Sequence, residues 1–191
     1  MLRRRWPGWL PPLLVGLAII AAFFYFVRAT TKNTGRPATV QGGGPINIGA
    51  RPPDFTATAF DGSTIHLAAL RQKAVLINFF ASWCVECRAE IPDIEAVYRQ
   101  KQAAGFEVIG VDALENGDGQ AFFRELGATF PAVADPLPSP GQPGAIARAY
   151  GVDQGLPVSV FLGRDGRVAS IYPGRIDRQI ISDELKRQGI S

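Results

Sequence analysis

The sequence predicts a three-layer α/β domain built on a mixed central sheet, and three observations carry that prediction. Ala74–Phe80 and Phe106–Val111 are short, continuous apolar runs, as expected of strands covered on both faces. Between them Ile91, Ile94, Val97 and Tyr98 share a helical stripe that stops at Gly105. Val158–Leu162 and Arg167–Tyr172 flank Asp165-Gly166 and read as a hairpin near the end of a strand–helix alternation, which makes the sheet mixed.

The chain has 191 residues, 47% hydrophobic and 19% charged, a balance that suits a globular protein and argues against wholesale disorder. Its net charge of +3 resides in Arg3, Arg4 and Arg5, the only charged residues before Arg28. The remainder is neutral and offers no footing for nucleic acid. Trp6–Val27 carries no charge and Leu13–Val27 is almost wholly aliphatic or aromatic; about 20 helical residues span a bilayer core. Trp6, Trp9 and Tyr25 sit near the ends of this stretch, and the three arginines before it outnumber Arg28 and Lys32 after it. It therefore reads as an uncleaved signal anchor over residues 9–27, with residues 1–8 in the cytoplasm and the rest outside. A cleaved signal peptide would have a shorter apolar core ending in a small-x-small site, whereas bulky Phe23–Val27 and then Arg28 close this one. Residues 28–47 are rich in Gly, Thr and Pro without an apolar period and read as a flexible tether. The globular domain is expected over 48–191.

Within it, Asp54–Thr58 and Ser63–Leu67 flank Asp61-Gly62 as an N-terminal β-hairpin extension. The buried strand at 74–80, the helix and the strand at 106–111 follow. Gln120–Leu126 reads as helical, Thr129–Ala134 as extended, Pro136–Pro143 as a loop, Gly144–Tyr150 as a short helix and Asp177–Gln188 as a closing amphipathic helix. His66 reads as a surface or strand-edge residue, and Phe122 and Phe123 as core.

Both cysteines lie in Trp83-Cys84-Val85-Glu86-Cys87, at the junction of the apolar strand and the amphipathic helix. Cys84 falls at the helix N-terminus, where unsatisfied N–H groups and the helix dipole favour thiolate over thiol. Cys87, one turn on, is close enough to attack a mixed disulfide formed at Cys84, so the spacing supplies an exposed nucleophile and a buried resolving thiol. Two inert core cysteines, or half of a zinc site, are the competing readings. A tetrahedral zinc needs about four ligands, and His66 is the only histidine.

The stretch Val75–Pro92 (VLINFFASWCVECRAEIP) resembles the active-site segment of membrane-tethered thioredoxins of the TlpA/ResA type. It is also similar to that of the DsbE/CcmG thiol:disulfide interchange proteins of cytochrome c biogenesis. Pro53-Asp54-Phe55 with Asp61-Gly62 and Leu67 resembles the family's N-terminal hairpin, and Pro92 its helix proline after the first cysteine. Tyr150-Gly151-Val152 with Gly155-Leu156-Pro157 looks like the segment bearing its cis-proline, and Asp165–Val168 like its closing turn. The similarity runs over residues 48–188 and implies a thioredoxin fold. It implies that Cys84 attacks and Cys87 resolves, and that Trp83 forms part of an exposed apolar surface beside them. It further implies that Pro157 is cis, with the Leu156 backbone pairing with an extended substrate segment. On its own Pro157 reads as an ordinary trans turn proline, since only about 5–6% of X-Pro bonds are cis.

Some positions depart from the pattern. Soluble thioredoxins carry a buried Asp where this chain has Asn78, so a carboxylate that helps deprotonate the resolving thiol is missing. Glu86 places negative charge near Cys84 and opposes thiolate formation, with Arg88 as a partial offset, which leans toward a reductant. Glu90 reads equally as a functional acid near the thiols and as a helix-surface charge. Val158-Ser159 stands where DsbE/CcmG members show Glu-Thr, which favours the TlpA/ResA side.

The expected function is an extracytoplasmic thiol:disulfide oxidoreductase on the bacterial inner membrane, with no metal and no cofactor beyond the Cys84–Cys87 pair. The resemblance implies protein disulfide substrates such as those of apocytochrome c, and a membrane electron donor of the DsbD or CcdA type. One alternative is a thiol peroxidase, although Ala81 stands where such enzymes place Thr or Ser. Another is a copper-binding chaperone, which would use wider cysteine spacing and a later histidine.

Overall fold

The computed structural model describes residue 20, residues 38–42 and residues 46–190. The expected anchor at 9–27, the segment 1–8 and the tether up to residue 37 otherwise lie outside the described residues. Among the described residues, no helix is long and apolar enough to cross a membrane.

Strand β4 (Ala74–Phe80) is buried at every position, as its unbroken apolar run requires. Its side chains alternate between two layers: Val75, Ile77 and Phe79 face one, and Leu76, Asn78 and Phe80 the other. Strands β5 (Phe106–Asp112) and β6 (Ala132–Ala134) run parallel to β4, while β7 (Val158–Leu162) and β8 (Val168–Pro173) form the antiparallel hairpin. The resulting order is β6-β5-β4-β7-β8. Helices α1 (Val85–Lys101) and α4 (Arg178–Arg187) cover one face with Ile91, Ile94, Ile181 and Leu185. Helix α2 (Gly119–Glu125) adds Phe122 and Phe123 to the same layer, where the Phe123 and Phe130 rings meet edge to face at 4.8 Å. Helix α3 (Ala145–Ala149) covers the opposite face with Ile146 and Ala147. Gly105 ends the α1 region at φ 92°, a left-handed turn open to glycine, and its carbonyl accepts from the Ala74 amide at the start of β4 (3.0 Å).

The N-terminal extension is a separate antiparallel sheet of β1 (Thr39–Gln41), β2 (Asp54–Thr58) and β3 (Thr64–His66). Strand β1 corrects the tether reading of 28–47. Val40 lies opposite Phe55 and packs on the core, and that contact, not a sequence period, orders residues 39–41. The extension joins the main sheet through a bridge between Ala59 and Val133 and through the Phe60 amide, which donates to the Ala132 carbonyl (2.8 Å). The Tyr150 hydroxyl donates to the Pro53 carbonyl at 2.8 Å, pinning it from below. The extended stretch expected at 129–134 shortens to Ala132–Ala134, because Thr129 gives its amide and hydroxyl to Glu95 of α1 (2.8 and 2.7 Å).

Candidate active site

The C-terminal end of β4 delivers Ala81–Cys84 to the start of α1. Cys84 is the N-cap residue: its backbone is extended (φ −82°, ψ 110°), and its Sγ accepts from the Cys87 amide at 3.1 Å. That contact satisfies one of the amides a helix start leaves open. Cys84 and Cys87 form a disulfide across a Cα–Cα distance of 5.2 Å. The expected exposed nucleophile is corrected for this closed state. Cys84 is 5% exposed and Cys87 1%, because the Cys84 sulfur is folded back onto the first turn. The exposed neighbours are instead Trp83 at 46% and Val85 at 79%, an apolar surface flanking the disulfide. Trp83 is held by its indole N–H, which donates to the Leu114 carbonyl at 2.9 Å.

The Leu156-Pro157 bond is cis. Val158 pairs with Phe79, so Pro157 enters β7 at the end of the sheet where β4 leads into Cys84. Leu156 is half-buried and packs against the cluster that contains both cysteines, while the Pro157 carbonyl accepts from the Gly174 amide at 2.8 Å. Trp83, Cys84, Cys87, Leu156 and Pro157 therefore gather at one end of the sheet.

Glu90 lies one turn beyond Cys87 on the same face of α1 and is fully buried, which overturns the helix-surface alternative. Its carboxylate accepts from the Ile176 amide (2.7 Å) and from the Asn78 side chain, which also donates to the Ser159 hydroxyl (3.0 Å). Burial lifts the Glu90 carboxyl to about 7 against those two donors. The carboxylate absent at position 78 is thus brought to Asn78 from α1. Glu86 occupies the first turn of α1 and is exposed. Arg88 does not offset it: the guanidinium pairs with Glu125 at 2.7 Å and lies 4.9 Å over the Phe122 ring, turned toward α2.

Two acids escaped the reading of the sequence. Strand β5 does not end at Val111 but carries Asp112, which is 6% exposed and whose carboxyl burial pushes up to about 9. Glu115 follows and accepts from the Ser82 amide and hydroxyl, each at 2.7 Å. Burial raises the Glu115 carboxyl, but Ser82, Asp112 and the Gly117 amide outweigh it and hold the group below its ordinary value. A carboxylate closing an apolar strand just before Leu114-Glu115-Asn116-Gly117 was the available signal.

Residues 48–171 match the AhpC/TSA family along the stretch that holds the disulfide and the cis-proline. The chain belongs to the AhpC/TSA family. Within it, the thiol-disulfide oxidoreductase ResA of Bacillus anthracis is 33% identical over 144 residues, covering 75% of this chain and 75% of the relative. Among solved structures, a putative thiol:disulfide interchange protein DsbE from Chlorobium tepidum superposes with a TM-score of 0.65 at 27% identity, covering 75% of this chain and 98% of that one. A putative protein disulfide isomerase from Bacteroides thetaiotaomicron gives 0.64 at 30% identity, covering 76% and 90%. This AhpC/TSA member has the thioredoxin-like fold and is a thiol-disulfide oxidoreductase whose redox pair is Cys84–Cys87.

Proposed function

We propose that this protein is a reductant of protein disulfides, such as those of apocytochrome c during cytochrome c maturation. In this reading it works outside the bacterial inner membrane, held there by residues 9–27. The observation that supports it best is the cysteine pair at the α1 N-terminus, flanked by exposed Trp83 and Val85 and by cis-Pro157.

In the dithiol state the Cys84 thiolate, favoured by the N-cap contact, attacks one sulfur of a substrate disulfide. A mixed disulfide forms and the first substrate thiolate leaves. Cys87 then loses its proton and attacks the Cys84 sulfur, closing the Cys84–Cys87 disulfide and expelling the second substrate thiol. Two electrons pass from the enzyme dithiol to the substrate. Glu90 is suited to take the Cys87 proton, because a carboxyl titrating near about 7 exchanges protons at neutral pH. Trp83 and Val85 supply the apolar docking surface, and the Leu156 backbone pairs with an extended substrate segment. Glu86 opposes thiolate formation at Cys84 and so disfavours the dithiol, which makes the enzyme more reducing. An oxidising compartment then requires a membrane electron donor of the DsbD or CcdA type to restore the dithiol.

The deciding experiment is the reduction potential of the Cys84–Cys87 pair in the full-length protein, equilibrated with glutathione or dithiothreitol. A value near or below about −270 mV supports a dedicated reductant, and one near about −120 mV overturns it in favour of disulfide formation.

A further inference from the structure

Resting on the oxidoreductase reading above, we propose that Glu115 is a positioning residue for Cys84. It locks the turn that carries the nucleophile to a neighbouring turn, and so sets how readily the Cys84–Cys87 disulfide opens and closes.

Both Glu115 oxygens are committed. One accepts from the Ser82 amide at 2.7 Å. The other accepts from the Ser82 hydroxyl (2.7 Å), the Asn116 amide (2.8 Å) and the Gly117 amide (2.7 Å). Ser82 stands two residues before Cys84, in a segment whose other backbone bonds run from Cys84 N–H to the Ala81 carbonyl (3.2 Å) and from Arg88 N–H to the Cys84 carbonyl (3.2 Å). The partner turn is equally constrained. Leu114 is a buried, bulky residue at φ 56°, a left-handed backbone that such side chains avoid, and the Trp83 indole holds its carbonyl in that position. Glu115 also anchors the loop beyond, because its carbonyl accepts from the Gly141 amide at 2.9 Å.

Asp112 backs this clamp from inside the sheet. Its buried carboxyl is raised further by the neighbouring Glu115 and packs against Gly119, where a Cβ would collide with it. Burial and the carboxyls around it favour the neutral form of Asp112, whereas the Ser82 and Gly117 donors favour the ionised form of Glu115. Glu115 is thereby kept as the acceptor of the Ser82 amide and hydroxyl. Electron flow stays with the cysteines. Glu115 acts through Ser82 on where the Cys84 sulfur sits relative to the α1 amides and to Cys87.

The test uses the full-length protein with Ser82→Ala, Glu115→Ala and Glu115→Gln, each verified as folded by circular dichroism. Two quantities are read: the thiol–disulfide equilibrium constant against glutathione, and the pH dependence of Cys84 alkylation. Glu115→Ala should shift the equilibrium about tenfold toward the dithiol, about 30 mV less reducing, because Cys84 is no longer held against Cys87. Cys84 should also titrate at higher pH, since its N-cap contact loosens. Ser82→Ala, which changes no charge, should move both quantities in the same directions by less, and Glu115→Gln should fall between the two. The second readout separates placement from charge: removing a nearby negative charge alone would lower the pH at which Cys84 titrates. The proposal is overturned if both quantities stay within about twofold of wild type, or if Cys84 titrates lower in both Glu115 variants while Ser82→Ala does nothing. If Glu115→Ala does not fold, Ser82→Ala decides alone. A wild-type protein that fails to cycle at all would instead bring down the oxidoreductase reading, and this proposal with it.

Discussion

Replacing Glu90 with Gln removes a buried carboxyl that β4 and the segment before α4 address at once, through Asn78 and the Ile176 amide. In the folded chain it titrates near about 7, against an ordinary value of 4.5, because burial penalises the carboxylate more than the Ile176 and Asn78 donors favour it. The folded state therefore holds the proton more tightly than the unfolded chain does. Stability from this group is complete below pH 4.5 and is lost as the pH rises toward and through 7. The loss between pH 5 and pH 8 works out at about 2.5 kcal/mol. Gln cannot ionise, and it leaves one of the two donors facing an amide, a cost that is the same at every pH. Urea titrations of the oxidised wild type and Glu90→Gln at both pH values isolate the proton: the stability difference between them should change by about 2.5 kcal/mol in favour of the variant. With a urea dependence of about 2 kcal/mol per molar, the midpoint gap moves by about 1 M. A gap that is identical at the two pH values would refute the account of Glu90 as a strained buried acid.

Cys87→Ser should accumulate a mixed disulfide with a disulfide-containing peptide, visible as a mass adduct at Cys84, while Cys84→Ser should form none. Tyr150→Phe strips the Pro53 carbonyl of its buried donor and should cost about 1 kcal/mol in a denaturant titration without altering the redox equilibrium. Gly119→Ala drives a methyl into the Asp112 carboxyl and should destabilise the protein by about 1–3 kcal/mol, read as a lowered urea midpoint.

What the sequence made legible was what local pattern can encode. The strand at 74–80 showed itself because every position is apolar, and the cysteine pair because two thiols one turn apart at a strand–helix junction have few other uses. The cis state of Pro157 came only through the resemblance, since nothing in its neighbours distinguishes it from a trans turn. Glu90 sat in a helical stripe with Cys87 and Ile94, yet its partners come from β4 and from Ile176, neither of which its own segment specifies. Asp112 and Glu115 were invisible for the same reason: the burial of one and the Ser82 contacts of the other arise only where the ends of β4 and β5 come together. Strand β1 was missed because a single apolar residue, Val40, between two polar ones makes no period to detect.

The joint between the extension and the main sheet also bears on how molecules of this protein behave in a crowd. Strand β6 is short and lies at the margin of the five-stranded sheet, where unpaired amides and carbonyls would invite another chain to add on. Ala59 and Phe60 occupy that margin, bonding to Val133 and Ala132. The other margin, β8, ends in Pro173, which has no amide to offer an incoming strand. The hairpin extension thereby keeps neighbouring copies from stacking edge to edge, and a chain trimmed back past Phe60 would aggregate even though Cys84 and Cys87 remain.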